Sequence, residues 1–325
     1  SRFMLRAIEL ARKGELTTQP NPMVGCVIVK NNTIIGEGWH QSYGGHHAEV
    51  EAIKSCKKRF GAKQALKLLQ GSDLYVNLEP CSITNNTPPC VDAVIRYGIK
   101  RVVCGTLDPN PRINGAGITL LKKAGIKTAI GMLKKECEAL NRIFFINQKK
   151  ARPYIILKAA QSLDGKIALR DGASSWISNS LSRQDTHLLR ARVKGILVGK
   201  NTALSDNPNL TMRLDYKQLG LKKNTALPQP IKIVLGNLTD VKSTKNLFAK
   251  NAKVIIGSRG AGLQKRNVEH IQYLRKNFLE EFMQDLLKRG VTSILVEGGQ
   301  DYDIMGWSQA AVINNIIDQF LCNSI

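Results

Sequence analysis

Along most of the chain, short apolar runs rich in β-branched residues alternate with segments whose apolar residues recur every three or four positions. Strands that are apolar on both faces are stable only when helices cover the sheet they build, so this alternation predicts a layered α/β architecture. Phe3–Lys13 reads as an amphipathic helix, and Val24–Val29 and Ile34–Trp39 as two strands turning at Lys30-Asn31-Asn32. A helix is predicted over Ala48–Lys58, a strand over Leu74–Leu78 closed by Pro80, and a helix over Cys90–Tyr97. The strand Lys100–Gly105, the helix Gly117–Ala124 and the strand Lys127–Gly131 follow. Together these predict a three-layer α/β sandwich.

At 325 residues, two domains are expected. The polar stretch "NQKKARP", residues 147–153, reads as the boundary, because a new apolar strand opens at Tyr154–Leu157. Beyond it the alternation resumes, with strands at Gly195–Gly199, Ile231–Leu235, Val254–Ile256 and Ser293–Val296. Helices are predicted over Ser182–Lys194 and Asn277–Arg289, and a long surface loop over Asp215–Pro230.

The net charge of +23, from 48 Lys+Arg against 25 Asp+Glu, attracts anions. The basic residues are spread as pairs such as Lys57-Lys58 and Lys222-Lys223 without interleaved aromatics, which reads as a diffuse basic surface and not a nucleic-acid face. Seven scattered cysteines fit a reducing cytoplasm better than a disulfide scaffold. The longest apolar run, Val24–Val29, is far short of the roughly 20 residues that cross a bilayer, so no membrane role is expected.

One constellation carries chemistry. His47 and Glu49 stand in "HHAEV", and "EPCSITNNTPPC" sets Cys81 after a strand and Cys90 at the start of a helix, each preceded by proline. A zinc site that activates water needs three protein ligands, an open position, and a base that does not itself bind the metal. Zinc deaminases as a class carry His-x-Glu followed by Pro-Cys-x-x-Cys; here the second pair is spread more widely. His47, Cys81 and Cys90 are the predicted ligands, all expected at helix entrances, where exposed N–H groups stabilise thiolates. Glu49 is the predicted proton carrier between water, ring nitrogen and departing ammonia. His46 reads as a polar loop residue, and Cys26, Cys56, Cys104, Cys137 and Cys322 as core or surface thiols.

Taken together, "TTQPNPMVGCVIV", "GEGWHQ", "HAEVEAI", "YVNLEPCS", "TPPCVDAVI" and "DPNP", with "SLDGKIA", "SSWIS", "LLRARVKGILVGKNTALSDNPNLTMR" and "VEGG" in the second half, resemble the bifunctional riboflavin-biosynthesis family. The likeness spans nearly the whole chain. It implies a cytidine-deaminase-like αβα domain over 1–147 and a dihydrofolate-reductase-like α/β domain over 153–325. The first would hydrolyse the amine of 2,5-diamino-6-ribosylamino-4(3H)-pyrimidinone 5′-phosphate; the second would use NADPH to reduce the product's ribosyl group to ribityl. The implied partner is that phosphorylated pyrimidine, with no nucleic acid and no membrane, and with homo-oligomers forming through a complete reductase domain.

The resemblance also carries residue roles. Asn21 would contact substrate in the deaminase pocket; Ala160, Trp176, Thr202, Asp206, Gly298 and Gly299 would contact the cofactor. Ser174, Arg190, Leu210, Arg213 and Glu297 would contact the reductase substrate, the two arginines being suitable forks for its phosphate. Asp206 would act near the reduced carbon or cap the "SDNPN" turn. "NGAGI" and "GSRGAG" are weak echoes of a dinucleotide fingerprint.

Two departures stand out. The family pattern between the cysteines is Cys-Ser-His-x-Gly-Arg/Lys-Thr-Pro-Pro-Cys, and here Ile83 and Asn86 replace the histidine and the basic residue. Family members also continue past "IIDQFLCNSI", so a reductase sheet incomplete at its carboxyl end is expected, in a chain that begins at Ser1 without methionine. Three readings stay open: both activities, only one active half, or a nucleic-acid base deaminase. A structural zinc in a non-catalytic remnant is a further alternative.

Overall fold

Asn31 and Asn32, both in the left-handed region at φ 48° and 62°, form the two-residue turn of a hairpin between β1 (Gly25–Lys30) and β2 (Thr33–Trp39). In this computed structural model, which describes residues 1–83, 88–161, 179–238, 246–249, 252–260, 267–273, 278–298 and 317–324, the chain divides into two units, Ser1–Lys150 and Ala151–Ile325.

The first unit is built on a five-stranded sheet, order β2-β1-β3-β4-β5, with β3 (Asp73–Leu78), β4 (Arg101–Thr106) and β5 (Lys127–Ile130). β1 is antiparallel to β2 and β3, whereas β3, β4 and β5 run parallel. Side-chain alternation explains the apolar runs: Cys26, Ile28, Leu74, Val76, Val102 and Cys104 join one core cluster, and Val27, Val29, Tyr75 and Val103 join another. On the first face lie α2 (Ala48–Phe60), α3 (Ala62–Leu69), α4 (Cys90–Arg96) and α5 (Ala116–Lys123); on the second, α1 (Arg2–Arg12) and α6 (Lys134–Leu140). The three-layer prediction therefore holds. A Cβ at Gly38 of β2 would lie 2.3 Å from the Ala52 nitrogen, so glycine lets α2 seat directly on the sheet.

The predicted boundary, residues 147–153, brackets the division between the units at Lys150 and Ala151, but its first four residues are helical. α7 (Arg142–Lys150) runs through Asn147–Lys150, burying Phe145 and Asn147 while Lys149 and Lys150 occupy its last turn. The first four residues of the polar run are thus the cationic end of this helix, where lysine complements the helix dipole, and residues 151–153 lead on to β6.

In the second unit every described strand pairing is parallel. The order is β10-β9-β8-β7-β11-β6-β12, from β6 (Tyr154–Gln161), β7 (Gly195–Gly199), β8 (Ile231–Leu235), β9 (Val254–Ser258), β10 (Val268–Gln272), β11 (Ser293–Glu297) and β12 (Gln319–Ser324). α8 (Ser180–Arg192) starts at an Asn179 cap whose side chain accepts from the Ser182 N–H; α9 (Lys200–Asp206) follows β7, and α10 (Phe278–Lys288) precedes β11. Phe282, Met283 and Leu286 of α10 pack with Ile155, Leu197, Ile233, Ile255 and Ile294 of the sheet. Arg152 forks onto Asp318 at 2.6 and 2.9 Å, and the Ile155 N–H donates to the same carboxylate, fixing the start of β12 beside β6. Residues 215–230 contain no helix or strand, as predicted. No described helix is long and apolar enough to cross a membrane.

Candidate active site

His47 is the N-cap of α2, in extended conformation, and Glu49 sits in the first turn that follows. Cys90 is the first residue of α4, after Pro89. Cys81 departs from the helix-entrance prediction: it lies in the loop after β3, but the Cys90 backbone N–H donates to its sulfur at 3.3 Å, so the start of α4 still stabilises it. The folded chain gathers all three donors. His47 Nδ1 is 3.0 Å from Cys90 Sγ and 3.4 Å from Cys81 Sγ, and one atom from each residue lies within 4.8 Å of the others.

The electrostatics suit a cation. The Cys81 thiol is held well below the usual range, first by the Cys90 thiol that donates to it and then by His47, against the opposing effect of burial. Cys90 is pushed up, chiefly by that same pairing and then by burial. His47 is raised, mainly through its hydrogen bond with Cys81. Two sulfurs and an imidazole are the donor set zinc favours, and their separations are spanned by an ion with Zn–N about 2.0 Å and Zn–S about 2.3 Å. Glu49, 3% exposed, has its carboxyl raised mainly by burial and interacts with the Cys90 thiol. His46 is exposed, and Cys26, Cys56, Cys104 and Cys137 are core residues; the Cys322 side chain lies outside the described set.

His47, Glu49 and Cys81 open on a cavity of about 450 Å³. Asn21 lines it, as do Asp108, Asn110, Ile113, Phe144 and His40, which have no ligand spacing to reveal them in sequence. His40 Nδ1 faces the His46 carbonyl at 3.0 Å and so carries hydrogen, which leaves Nε2 to accept from Asn21 Nδ2 at 3.1 Å. Asn21 Oδ1 is thereby left as the acceptor of that amide. Burial lowers the His40 pKa and keeps the ring neutral. Asp108, buried in the wall, is pushed up to about 6 by burial. Ile83 is half-buried, and Asn86 lies outside the described residues.

In the second unit, adjacent parallel strands β7, β11 and β6 bring Thr202 of α9, Glu297 with Gly298, and Ala160 to their carboxyl ends. Ligands of open α/β sheets bind at such ends. Arg190 of α8 closes on Glu297 through Nε–Oε1 at 2.8 Å and Nη2–Oε2 at 2.6 Å, and Nη1 donates to the Thr211 carbonyl. The fork read as free for phosphate is therefore engaged by the chain itself. Arg213 is exposed, and Leu210 is buried at φ 46°. Asp206 ends α9, exposed, accepting from Ser205 Oγ at 2.8 Å. Ser174, Trp176 and Gly299 lie outside the described residues.

Comparison with known proteins matches the same two units. Residues 1–106 match the cytidine and deoxycytidylate deaminase zinc-binding region, and residues 153–318 the RibD C-terminal domain. The riboflavin biosynthesis protein RibD of Bacillus amyloliquefaciens is 40% identical over 91% of this chain and 78% of its own. That of Escherichia coli is 38% identical over 91% of this chain and 81% of its own. Among solved structures, Acinetobacter baumannii RibD aligns with a TM-score of 0.83 at 31% identity, covering 99% of this chain and 85% of its own. A diaminohydroxyphosphoribosylaminopyrimidine deaminase/5-amino-6-(5-phosphoribosylamino)uracil reductase from Thermotoga maritima aligns at 0.78 with 40% identity, covering 92% and 80%.

Proposed function

Since this chain belongs to the RibD family of riboflavin biosynthesis, and so is a bifunctional deaminase and reductase, we propose that residues 1–147 deaminate the pyrimidine 5′-phosphate and residues 153–325 reduce its ribosyl chain. The convergence of His47, Cys81 and Cys90 beside a buried Glu49 carries this reading. The three donors would hold zinc, which when bound supplies Lewis acidity and a water acidified to a pKa of about 7. Glu49 would carry two protons in turn, one from the attacking water to the ring nitrogen and a second from the hydroxyl added to the ring carbon to the departing amine, which leaves as ammonia. A carboxyl raised by burial suits a group that must both accept and donate. Asn21 Oδ1, directed by neutral His40, accepts from an N–H of the pyrimidine.

For the reductase half, NADPH supplies the hydride. Ala160, Thr202 and Gly298 stand where the carboxyl ends of three strands admit a cofactor, with Trp176, Asp206 and Gly299 as further contacts from the family pattern. Ser174, Leu210 and Arg213 bind substrate, and Arg190 orients Glu297 toward it. The free cysteines of the first unit suit a reducing cytoplasm.

Incubating the full chain with zinc, NADPH and the pyrimidine phosphate, while following ammonia release and NADPH absorbance separately, tests both halves. Ammonia release followed by NADPH oxidation is expected. Zinc uptake without ammonia release would remove the deaminase assignment, and NADPH left unoxidised when deaminated product is supplied would remove the reductase assignment.

A further inference from the structure

Glu79 is a buried carboxylate, 4% exposed, between the end of β3 and the Pro80-Cys81 step that delivers a metal donor. Its oxygens accept four backbone N–H groups. Oε2 takes those of Asp108 at 3.1 Å and Gly115 at 2.9 Å; Oε1 takes those of Gly117 at 3.0 Å and Ile118 at 3.3 Å. The bonded segment runs from the loop after β4 into the first turn of α5, and between its two ends lie the cavity-wall residues Asp108, Asn110 and Ile113. One side chain thus ties that wall to the residue two before Cys81.

The glycines of "NGAG" are explained by this contact. Gly115 is left-handed at φ 77°, and a Cβ on Gly117 would lie 2.2 Å from the Pro80 carbonyl oxygen and 3.2 Å from Glu79 Oε1. They let the start of α5 reach the carboxylate, which is a packing role unrelated to dinucleotide binding.

We infer that Glu79 is a positioning residue for deamination, setting the Asp108–Ile113 wall against the metal centre; this rests on the deaminase reading above. Glu79 itself lines the cavity, but both of its oxygens are taken up by the four backbone N–H groups, which assigns it to holding the wall. Its carboxylate suits the role because each oxygen accepts two N–H groups, and a carboxylate is all acceptor. A glutamine of the same shape would turn an NH2 toward two donors and lose half the clamp.

The test compares the full-length wild type with Glu79→Gln. The expected result is a KM for the pyrimidine phosphate about tenfold higher with kcat within about threefold, the loss of charge-assisted contacts being felt in placement of the wall. Zinc per chain is unchanged. Amide hydrogen exchange over residues 107–118 speeds up while β1 and β3 keep their protection. A purely structural role would instead lower zinc content and kcat together. That outcome, or wild-type KM and wild-type exchange in the loop, overturns the inference. Gly115→Ala, which strains the loop and leaves Glu79 in place, is expected to shift KM in the same direction by less, and serves if Glu79→Gln does not fold. Should the wild type release no ammonia, the deaminase reading falls, and the exchange comparison alone still decides whether Glu79 holds the wall.

Discussion

The deaminase cavity and the strand ends of the reductase unit use charge in opposite ways. In the first, two sulfurs and an imidazole face one another and stabilise a thiolate, an arrangement that a cation completes. In the second, a guanidinium and a carboxylate satisfy each other: Arg190 and Glu297 form a two-point pair at 12% and 16% exposure. The first site depends on what it binds, and the second is organised before anything binds. Substitutions should therefore separate: catalytic loss with intact folding in one unit, loss of folding stability in the other.

The largest effect is expected at Glu49. Glu49→Gln keeps the shape and removes the proton carrier, so ammonia release should fall by about 10²–10⁴-fold, the usual contribution of general acid–base catalysis. Zinc content and NADPH oxidation with deaminated product should stay at wild-type values. Ammonia release within about threefold of wild type would mean that another group carries the proton.

Arg190→Met tests the opposite half. Breaking a largely buried pair by removing one partner leaves the other charge uncompensated, at a cost of about 3–5 kcal/mol. Unfolding of the second unit, followed by hydrogen exchange in α8 and β11, should shift accordingly while ammonia release is unchanged. Normal exchange in β11 together with a raised KM for the reductase substrate would instead put Arg190 on the substrate and erase the contrast.

How legible each half was follows from the same difference. Metal ligation restricts residue type, so His47, Cys81 and Cys90 stand out in sequence and meet in the fold, and the spacing from His47 marks Glu49. The wall residues obey no such restriction. Phe144 lies in a segment whose polar end reads as a domain boundary but which is helical, and His40, although inside "GEGWHQ", has no ligand spacing that would give it a role. Alternation of apolar residues located the central strands, whose faces are both covered, but not β10 and β12 at the sheet edge, where His270, Gln272, Gln319 and Asn323 interrupt it. Helices α3, α6 and α9 span only seven or eight residues; unlike the equally short α4 and α5, α3 and α6 are not set off between two readable strands, and the long loop over 215–230 separates α9 from β8. Arg190 could be recognised as a candidate, but not its pairing with Glu297, because the two meet only through the order of strands in the sheet.

A gain of function sharpens the comparison from the substrate side. If the deaminase unit depends on what it binds, then restoring the family's basic residue by Asn86→Lys should lower KM for the pyrimidine phosphate by about tenfold, the worth of one charge-assisted phosphate contact. The reductase KM should not move. An unchanged deaminase KM would show that other residues already supply phosphate recognition.

The smallest effect isolates burial from geometry. Arg6 and Glu37 form the same two-point pair as Arg190 and Glu297, at 2.7 and 3.1 Å, but at 39% and 30% exposure. Water and salt screen such a pair, so Glu37→Gln should cost less than about 1 kcal/mol at neutral pH. The hydrogen bond from Arg6 lowers the Glu37 pKa below its ordinary value. The unfolded chain therefore takes up this proton first as pH falls. The pair's contribution is full above the ordinary carboxylate range near about 4.3 and is lost as pH drops through the lowered folded value. Wild type and Glu37→Gln, compared by exchange in α1 and β2, should differ slightly at neutral pH and converge in acid. A difference as large as that for Arg190→Met would mean that pair geometry, and not burial, sets the strength of both.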